Sequence, residues 1–157
     1  MRILLVRHTH AGVRGTWPGN DLDRELSDKG RRQAAALVQT LAGHDVAAVH
    51  SSRAVRCVRS VQPLADELGL DVREAPCLLE GARPAGALGW LERLEAGPDE
   101  TVVACSHGDV IGGVLERLDE RGTPLECGLQ WPKASTWELD VEDGIIVRGR
   151  LVPPPEV

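Results

Sequence analysis

Two histidines each follow a short apolar run and stand where a buried strand would end. His8 comes directly after Arg7 and the apolar residues 3–6, and His107 follows the apolar residues 101–106. Open α/β sheets place their chemistry at the carboxyl ends of their strands. The two imidazoles lie far apart in the chain, but this pattern predicts that they share one site.

Further cations are expected at the same edge of the sheet, because Arg53 and Arg56 follow a third short strand. A neutral imidazole can attack phosphorus when its other ring nitrogen donates to a carbonyl. Guanidiniums stabilise the charge that develops on phosphoryl oxygens in the transition state. The residue types therefore predict phosphoryl transfer with His8 as nucleophile. The donors to the phosphoryl group would be Arg7, His107 and one of Arg53 and Arg56.

The leaving oxygen also needs a proton, which a carboxylic acid beside the phosphate dianion would supply. Glu80, in the loop after a short strand, and Asp109, two residues after His107, are the candidates. Positive neighbours should keep His8 neutral, whereas a bound dianion should keep His107 protonated. Two residues of one type would then take different roles.

The elements that must position these residues follow from apolar periodicity. Strands are predicted at 2–7, 46–50, 71–75, 101–106, 134–140 and 145–151. Helices are predicted at 27–42, at 55–68 with a kink or restart at Pro63, through Leu88 and Leu94 to a close at Gly97, and from Gly108 to Leu118.

This order predicts an α/β fold, a three-layer α/β/α sandwich with a mostly parallel central sheet. The last two strands are expected to form a hairpin at an antiparallel edge. We expect one domain over residues 1–157, because a chain of this length can bury one layered core.

Composition narrows the classes of function. The chain has 18 basic and 24 acidic residues and a net charge of −6, which argues against a nucleic-acid partner. The absence of a signal peptide or membrane-spanning run predicts a cytoplasmic protein without a membrane partner. The four cysteines form no C-x-x-C pair. They are expected to be free, mostly buried thiols.

Four ordered motifs resemble those of the histidine phosphatase, or phosphoglycerate mutase-like, superfamily. Residues 4–9 resemble its R-H-G signature, and residues 19–34 follow its G-x-x-x-D-x-x-L-[ST]-x-x-G-x-x-Q-A continuation. Residues 51–60 resemble its S-S-P-x-x-R-x-x-Q-T segment, and residues 106–108 are similar to its S-H-G. The resemblance extends from residue 2 to about residue 118.

The resemblance implies a fold of the phosphoglycerate mutase type and a phosphatase that needs no metal or other cofactor. It implies that His8 becomes phosphorylated, and that the phosphoryl group is held by Arg7, Arg56 and His107. It also favours Glu80 over Asp109 as the proton donor.

The chain departs from the family pattern at a few positions, namely Thr9, Arg53, Arg59 and Ser60. These departures bear on the substrate more than on the mechanism. Only the short loop 76–84 stands where mutases and bisphosphatases of the superfamily carry insertions. The chain therefore resembles the small SixA-like branch, which includes phosphohistidine phosphatases and domains fused to Nudix hydrolases.

An open site of this kind predicts a phosphorylated protein as substrate, with a nucleotide or another small-molecule phosphate as the alternative. Thr9, Arg14 and Arg53 are predicted to contact the substrate. Arg83 would extend a basic rim around the mouth of the site. The oligomeric state is left open by the sequence.

Three rival interpretations remain. A metal-dependent hydrolase would use His8-x-His10 with His107-x-Asp109, although barrel enzymes of that pattern need about 250 residues. A cysteine phosphatase would use Cys77 and Arg83, but Glu80 would then place a like charge inside the phosphate cradle. A catalytically weak phosphate-binding module is the third. His10, His44 and His50 are expected to be structural.

Overall fold

A mixed seven-stranded sheet with two helices on each face forms the molecule, and the computed structural model describes residues 1–157. The strands are β1 (Arg2–Arg7), β2 (Val46–Ser51), β3 (Val72–Glu74), β4 (Thr101–Ser106), β5 (Leu125–Glu126), β6 (Thr136–Glu142) and β7 (Ile145–Val152). The helices are α1 (Asp28–Leu41), α2 (Val55–Leu68), α3 (Pro84–Glu92) and α4 (Gly108–Glu120). The predicted α/β/α fold class is confirmed.

The strand order β3-β2-β4-β1-β6-β7-β5 places the site. The first four strands in this order run parallel, so the segments that follow them emerge at one edge of the sheet. Arg7 lies opposite Ser106 in the register, and the His8 N–H donates to the Ser106 carbonyl over 3.1 Å. The strand ends that carry the two histidines are therefore direct neighbours.

Strand β1 lies at the centre of the sheet, and both of its faces are buried. Ile3 and Leu5 pack into the cluster that includes α3 and α4, whereas Leu4 and Val6 pack with α1 and α2. A strand covered on both faces has a continuous apolar run instead of alternation. Each such side chain contributes about 1.5–3 kcal/mol by burial, which holds the end of β1 firmly in place.

The antiparallel edge of the sheet differs from the prediction. Strands β6 and β7 form the expected hairpin, but β6 pairs with β1, and β5 lies beside β7 and runs parallel to it. The outermost strand is thus β5, which the sequence analysis missed. A strand of two residues is too short to show any periodicity.

Two helices also differ from their predicted form. Helix α3 begins at Pro84 and ends at Glu92, before the predicted close at Gly97. Proline suits the first turn of a helix, where its missing N–H needs no partner. Helix α2 continues through Pro63, so the predicted restart does not occur.

The four cysteines are free thiols with unequal exposure. Cys57 and Cys105 are buried, Cys77 is half-buried and Cys127 is exposed. The expectation of mostly buried thiols is therefore correct for only two of the four. Cys127 lies just beyond the short β5, in a turn where its φ is 75°. None of the helices has both the length and the apolar character needed to cross a membrane.

The close approach of α1 to the loop after β1 requires glycine at position 30, because a Cβ there would overlap the carbonyl oxygen of His10. We expect Gly30→Ala to lower the free energy of unfolding by about 1–3 kcal/mol. Gly86→Ala is the matched control, because nothing surrounds that position. It should be neutral or stabilise the protein by up to about 1 kcal/mol. Urea unfolding measures both, and equal stability of the two variants would contradict the close contact.

Candidate active site

The imidazole of His8 lies at the end of β1 and is almost completely buried. Its Nδ1 is 2.8 Å from the Thr9 carbonyl oxygen. A carbonyl can only accept a hydrogen bond, so Nδ1 must carry the proton and Nε2 must carry the lone pair. This arrangement orients Nε2 as a nucleophile, in the tautomer that the sequence analysis required.

The pKa of His8 is lowered from 6.5 to about 3. Burial is the largest cause, and the hydrogen bond to the Thr9 carbonyl opposes it in part. The charges of Arg56 and Arg7 lower the pKa further, as does His107 when it is protonated. Positive neighbours were the expected cause, but removal of the ring from water contributes more. The imidazole is therefore neutral at neutral pH.

Arg56, in the first turn of α2, is completely buried. One terminal nitrogen donates to the Asp21 carbonyl over 2.9 Å. The other lies 3.1 Å from a carboxylate oxygen of Glu80 and 3.3 Å from Nδ1 of His107. The guanidinium thus joins four segments of the chain at the site. Arg53 is exposed and forms no hydrogen bond or ion pair, so the structure brings Arg56 and not Arg53 into the centre.

Arg7 approaches the same centre from the end of β1. Its guanidinium donates to the Trp131 carbonyl over 2.9 Å. It also passes so close to Gly108 that a Cβ there would lie 2.9 Å from the guanidinium carbon. The Nε atoms of Arg7 and Arg56 are both buried without a hydrogen-bond partner. An unsatisfied buried donor costs about 1–3 kcal/mol, and an anionic oxygen is the partner that guanidinium donors favour.

His107 precedes α4, and its ring centroid is 5.4 Å from that of His8. Because a guanidinium only donates, Nδ1 of His107 must accept from Arg56. Nε2 then carries the proton and donates to the Ser52 hydroxyl over 2.8 Å. This pattern describes a neutral ring. His107 was expected to be protonated beside a bound dianion. Its Nδ1 can take up a proton only if the Arg56 N–H that it now accepts turns to the anion instead.

Glu80 also lies at this centre, where it pairs with two arginines. One carboxylate oxygen bonds to Arg56 and the other to Arg14, which the loop after β1 carries. Asp109 does not reach this pair but accepts the backbone N–H of Gly81 over 2.8 Å. The structure thus places Glu80 among the cations, while Asp109 holds the loop that carries Glu80.

Thr9 is oriented differently from what was predicted for a substrate contact. Its side chain is completely buried, and its hydroxyl donates to the Gly30 carbonyl over 2.9 Å. Its N–H donates to the Ser60 hydroxyl over 2.8 Å. These bonds use the polar atoms of Thr9 to join β1, α1 and α2. The side chain is therefore structural. Arg83 is exposed and makes no contact at the site.

Sequence analysis missed two residues near the centre. Asp21, in a short 3-10 helix, places its carboxylate 3.3 Å from Arg56. Lys133 lies close enough to Arg7 and Arg56 for their charges to act on it. Asp21 lies within the family motif of residues 19–34, but at a position where that motif specifies no residue type. Lys133 lies in a segment that matches no motif. Only the long-range packing of the chain reveals them.

The rival chemistries find less support in the side chains. No three His, Cys, Asp or Glu side chains lie close enough to hold one metal ion. Nδ1 of His10 is 2.6 Å from the Ser27 hydroxyl, which gives that ring a structural partner. Burial raises the pKa of the Cys77 thiol, whereas a cysteine nucleophile needs a lowered pKa.

The family model of the histidine phosphatase superfamily (branch 1) matches residues 3–84. The chain belongs to this superfamily. The expected membership of this superfamily is thereby confirmed.

Two relatives by sequence differ in how much of their length is matched. The chain is 36% identical over 158 residues to an 8-oxo-(d)GTP phosphatase of Mycolicibacterium smegmatis, covering 98% of the chain and 48% of that protein. The chain therefore spans about half the length of this relative. It is 32% identical over 125 residues to an uncharacterised protein of Picosynechococcus, covering 75% of the chain and 73% of that protein.

Solved structures resemble this chain along nearly its whole length. The protein histidine phosphatase SixA complexed with tungstate superposes with a TM-score of 0.74 at 18% identity, covering 98% of this chain and 95% of that one. A mycobacterial glucosyl-3-phosphoglycerate phosphatase in complex with VO3 gives a TM-score of 0.69 at 22% identity, covering 99% of both chains. At these identities the likeness shows a shared fold.

The His8 geometry makes a prediction for nuclear magnetic resonance. In the folded protein the His8 ring should remain the Nδ1–H tautomer through pH 5, because its pKa is about 3. The unfolded chain takes up this proton near pH 6.5, so acidification from 6.5 towards 3 should also reduce the free energy of unfolding. A ¹⁵N-detected titration of the five histidines tests this. A His8 midpoint near 6.5 would contradict it.

Proposed function

We propose that the protein is a metal-independent phosphatase that works through a phosphohistidine on His8. The observation that carries this proposal is the neutral His8 ring, held by the Thr9 carbonyl beside two guanidiniums that each have a buried, unused Nε–H donor. The Nε2 lone pair forms a bond to phosphorus, and the bond from phosphorus to the leaving oxygen breaks. Water then attacks phosphorus, the N–P bond breaks, and inorganic phosphate leaves.

The cations of the site stabilise the charge on the transferred group. Arg7 and Arg56 present rigid donors whose positions are set by the protein before substrate arrives. Preorganised donors of this kind lower the barrier, because they need no reorganisation when charge develops. His107 adds a third donor once Arg56 turns to the anion. We assign to these three side chains the charge neutralisation that a metal ion supplies in other phosphatases.

Glu80 is proposed as the general acid and base. It can take this role only when its ion pairs with Arg56 and Arg14 are broken. Arg56 and Arg14 hold the carboxylate as a counter-ion. Phosphoryl oxygens that accept these N–H groups would leave Glu80 beside a dianion, which favours its protonated form. Glu80 then protonates the leaving oxygen and later takes a proton from the attacking water. Acid-base assistance of this type contributes about 10²–10⁴ in rate.

A nucleotide phosphate is the substrate class that the sequence comparison favours. The relative named 8-oxo-(d)GTP phosphatase matches 98% of the chain at 36% identity, although only half of that relative is covered. A phosphohistidine protein is the second candidate, supported by the short connection of residues 75–83 between β3 and α3. Such a connection leaves room for a protein-sized substrate. Both substrates would use the same chemistry at His8.

The covalent step predicts a labelled protein. Rapid quenching after exposure to a ³²P-labelled nucleoside phosphate should trap acid-labile, alkali-stable phosphate on the wild type and none on His8→Ala. His44→Ala is the matched control, because His44 precedes β2 at the opposite end of the sheet. Labelling and turnover should survive exhaustive chelation. If the wild type neither becomes labelled nor turns over substrate, the protein is a phosphate-binding module and not an enzyme. If chelation abolishes turnover, the protein is a metal-dependent hydrolase.

The role of Glu80 predicts a dependence on the leaving group. Glu80→Gln should slow hydrolysis of an alkyl phosphate by about 10²–10⁴ but slow 4-nitrophenyl phosphate much less, because nitrophenolate leaves without a proton. Asp109→Asn should cost less than about tenfold for either substrate, since one amide oxygen still accepts the Gly81 N–H. The steady-state kcat/KM measures these effects, because it reports phosphoryl transfer to His8 and not the later hydrolysis of the phosphoenzyme, which is common to both substrates. Equal losses for both leaving groups would show that Glu80 only positions Arg56.

A further inference from the structure

Lys133 is a half-buried cation whose surroundings are themselves positive. Burial lowers its pKa, and so do the charges of Arg7, Arg24, Arg14 and Arg56. Its ammonium forms no hydrogen bond or ion pair with any other side chain. Like charges in partly desolvated surroundings repel strongly, so an anion placed among them would be bound tightly.

The backbone holds Lys133 beside the nucleophile. The N–H of the next residue, Ala134, is 3.2 Å from the carbonyl oxygens of both Arg7 and His8. Ala134 has a φ of 67°, a conformation that costs energy for a residue with a Cβ and that these contacts maintain. Lys133 is therefore fixed at the end of β1, next to the site of phosphoryl transfer.

Lys133 also lines a groove of about 540 Å³, whose wall includes His10, two residues after His8. The other basic groups on its walls are His10 and Lys29. Burial is the main cause that lowers the pKa of His10, and the charges of Lys133 and Lys29 lower it further, so both lysines lie close to this ring. Gln33 accepts the His10 N–H with its Oε1, so its other terminal group is an N–H donor. Residues 154–157 form the far wall and contribute one carboxylate, Glu156.

We propose that this groove binds a second phosphate of the substrate, so that the preferred substrates carry a diphosphate linkage, as nucleoside di- and triphosphates do. This rests on the proposed phosphatase function. The terminal phosphoryl group is transferred to His8, while the adjacent phosphate is held by Lys133 with help from His10, Lys29 and Gln33. The groove thereby selects polyphosphates over simple monoesters and over phosphohistidine on a protein.

Binding of inorganic pyrophosphate and of orthophosphate is measured by isothermal titration calorimetry, with His8→Ala added to every protein so that pyrophosphate is not turned over. The wild-type groove should bind pyrophosphate about 10- to 100-fold more tightly than orthophosphate, the range expected for one charge-assisted hydrogen bond. Lys133→Gln should abolish most of this preference, and Lys133→Arg should retain it. Arg32→Gln is the matched control, because Arg32 is an exposed cation on α1 that makes no contact. It should keep the wild-type ratio.

Kinetics with guanosine diphosphate and 4-nitrophenyl phosphate separate this inference from the phosphatase proposal. We divide kcat/KM for guanosine diphosphate by kcat/KM for 4-nitrophenyl phosphate. Lys133→Gln should lower this ratio by about 10- to 100-fold. An equal loss for both substrates, or equal affinity of the wild-type groove for pyrophosphate and orthophosphate, would overturn the groove while leaving the His8 chemistry intact. Absence of any phosphoenzyme would overturn the chemistry, and the calorimetric preference would still decide the groove.

Discussion

The completely buried guanidinium of Arg56 is the interaction on which the site depends. A buried charge costs several kcal/mol unless partners surround it, so the chain must bring acceptors to this point. The acceptors come from three other segments, through Asp21, Glu80 and His107. The loop after β1, the loop after β3 and the start of α4 therefore converge on one cation. The network that stabilises these loops is the same network that would release donors to a phosphoryl group.

The direction of hydrogen bonds gives two like histidines different states. The Thr9 carbonyl accepts from His8, which leaves Nε2 free as a nucleophile. Arg56 donates to His107, which makes that ring an acceptor on Nδ1 and a donor to Ser52. Because Arg56 also pairs with Glu80, an anion that takes up Arg56 would change His107 and Glu80 together. One guanidinium thus couples the proposed charge stabilisation to the proposed acid-base chemistry.

Two departures from the family pattern lie in contact with each other. The Ser60 hydroxyl is 3.2 Å from that of Thr9, and it also accepts the Thr9 N–H. The pair fastens the segment after the nucleophile to α2, while Gly30 allows α1 to approach from the other side. These positions therefore shape the backbone around His8 instead of contacting substrate. In our proposal, contact with the rest of the substrate passes to Lys133.

The sequence by itself determined the fold class and the convergence of His8, Arg7, Arg56 and His107. Apolar runs define buried parallel strands, and parallel strands deliver the residues that follow them to one edge of the sheet. The predicted start of the first helix at residue 27 is also correct, because the Ser27 hydroxyl caps α1 by accepting the Gly30 N–H. Only the tertiary structure decided the ion pairs of Glu80, the inward orientation of Thr9 and the position of Lys133. Each of these depends on which long-range partner a side chain meets, and neither periodicity nor motif spacing encodes that partner.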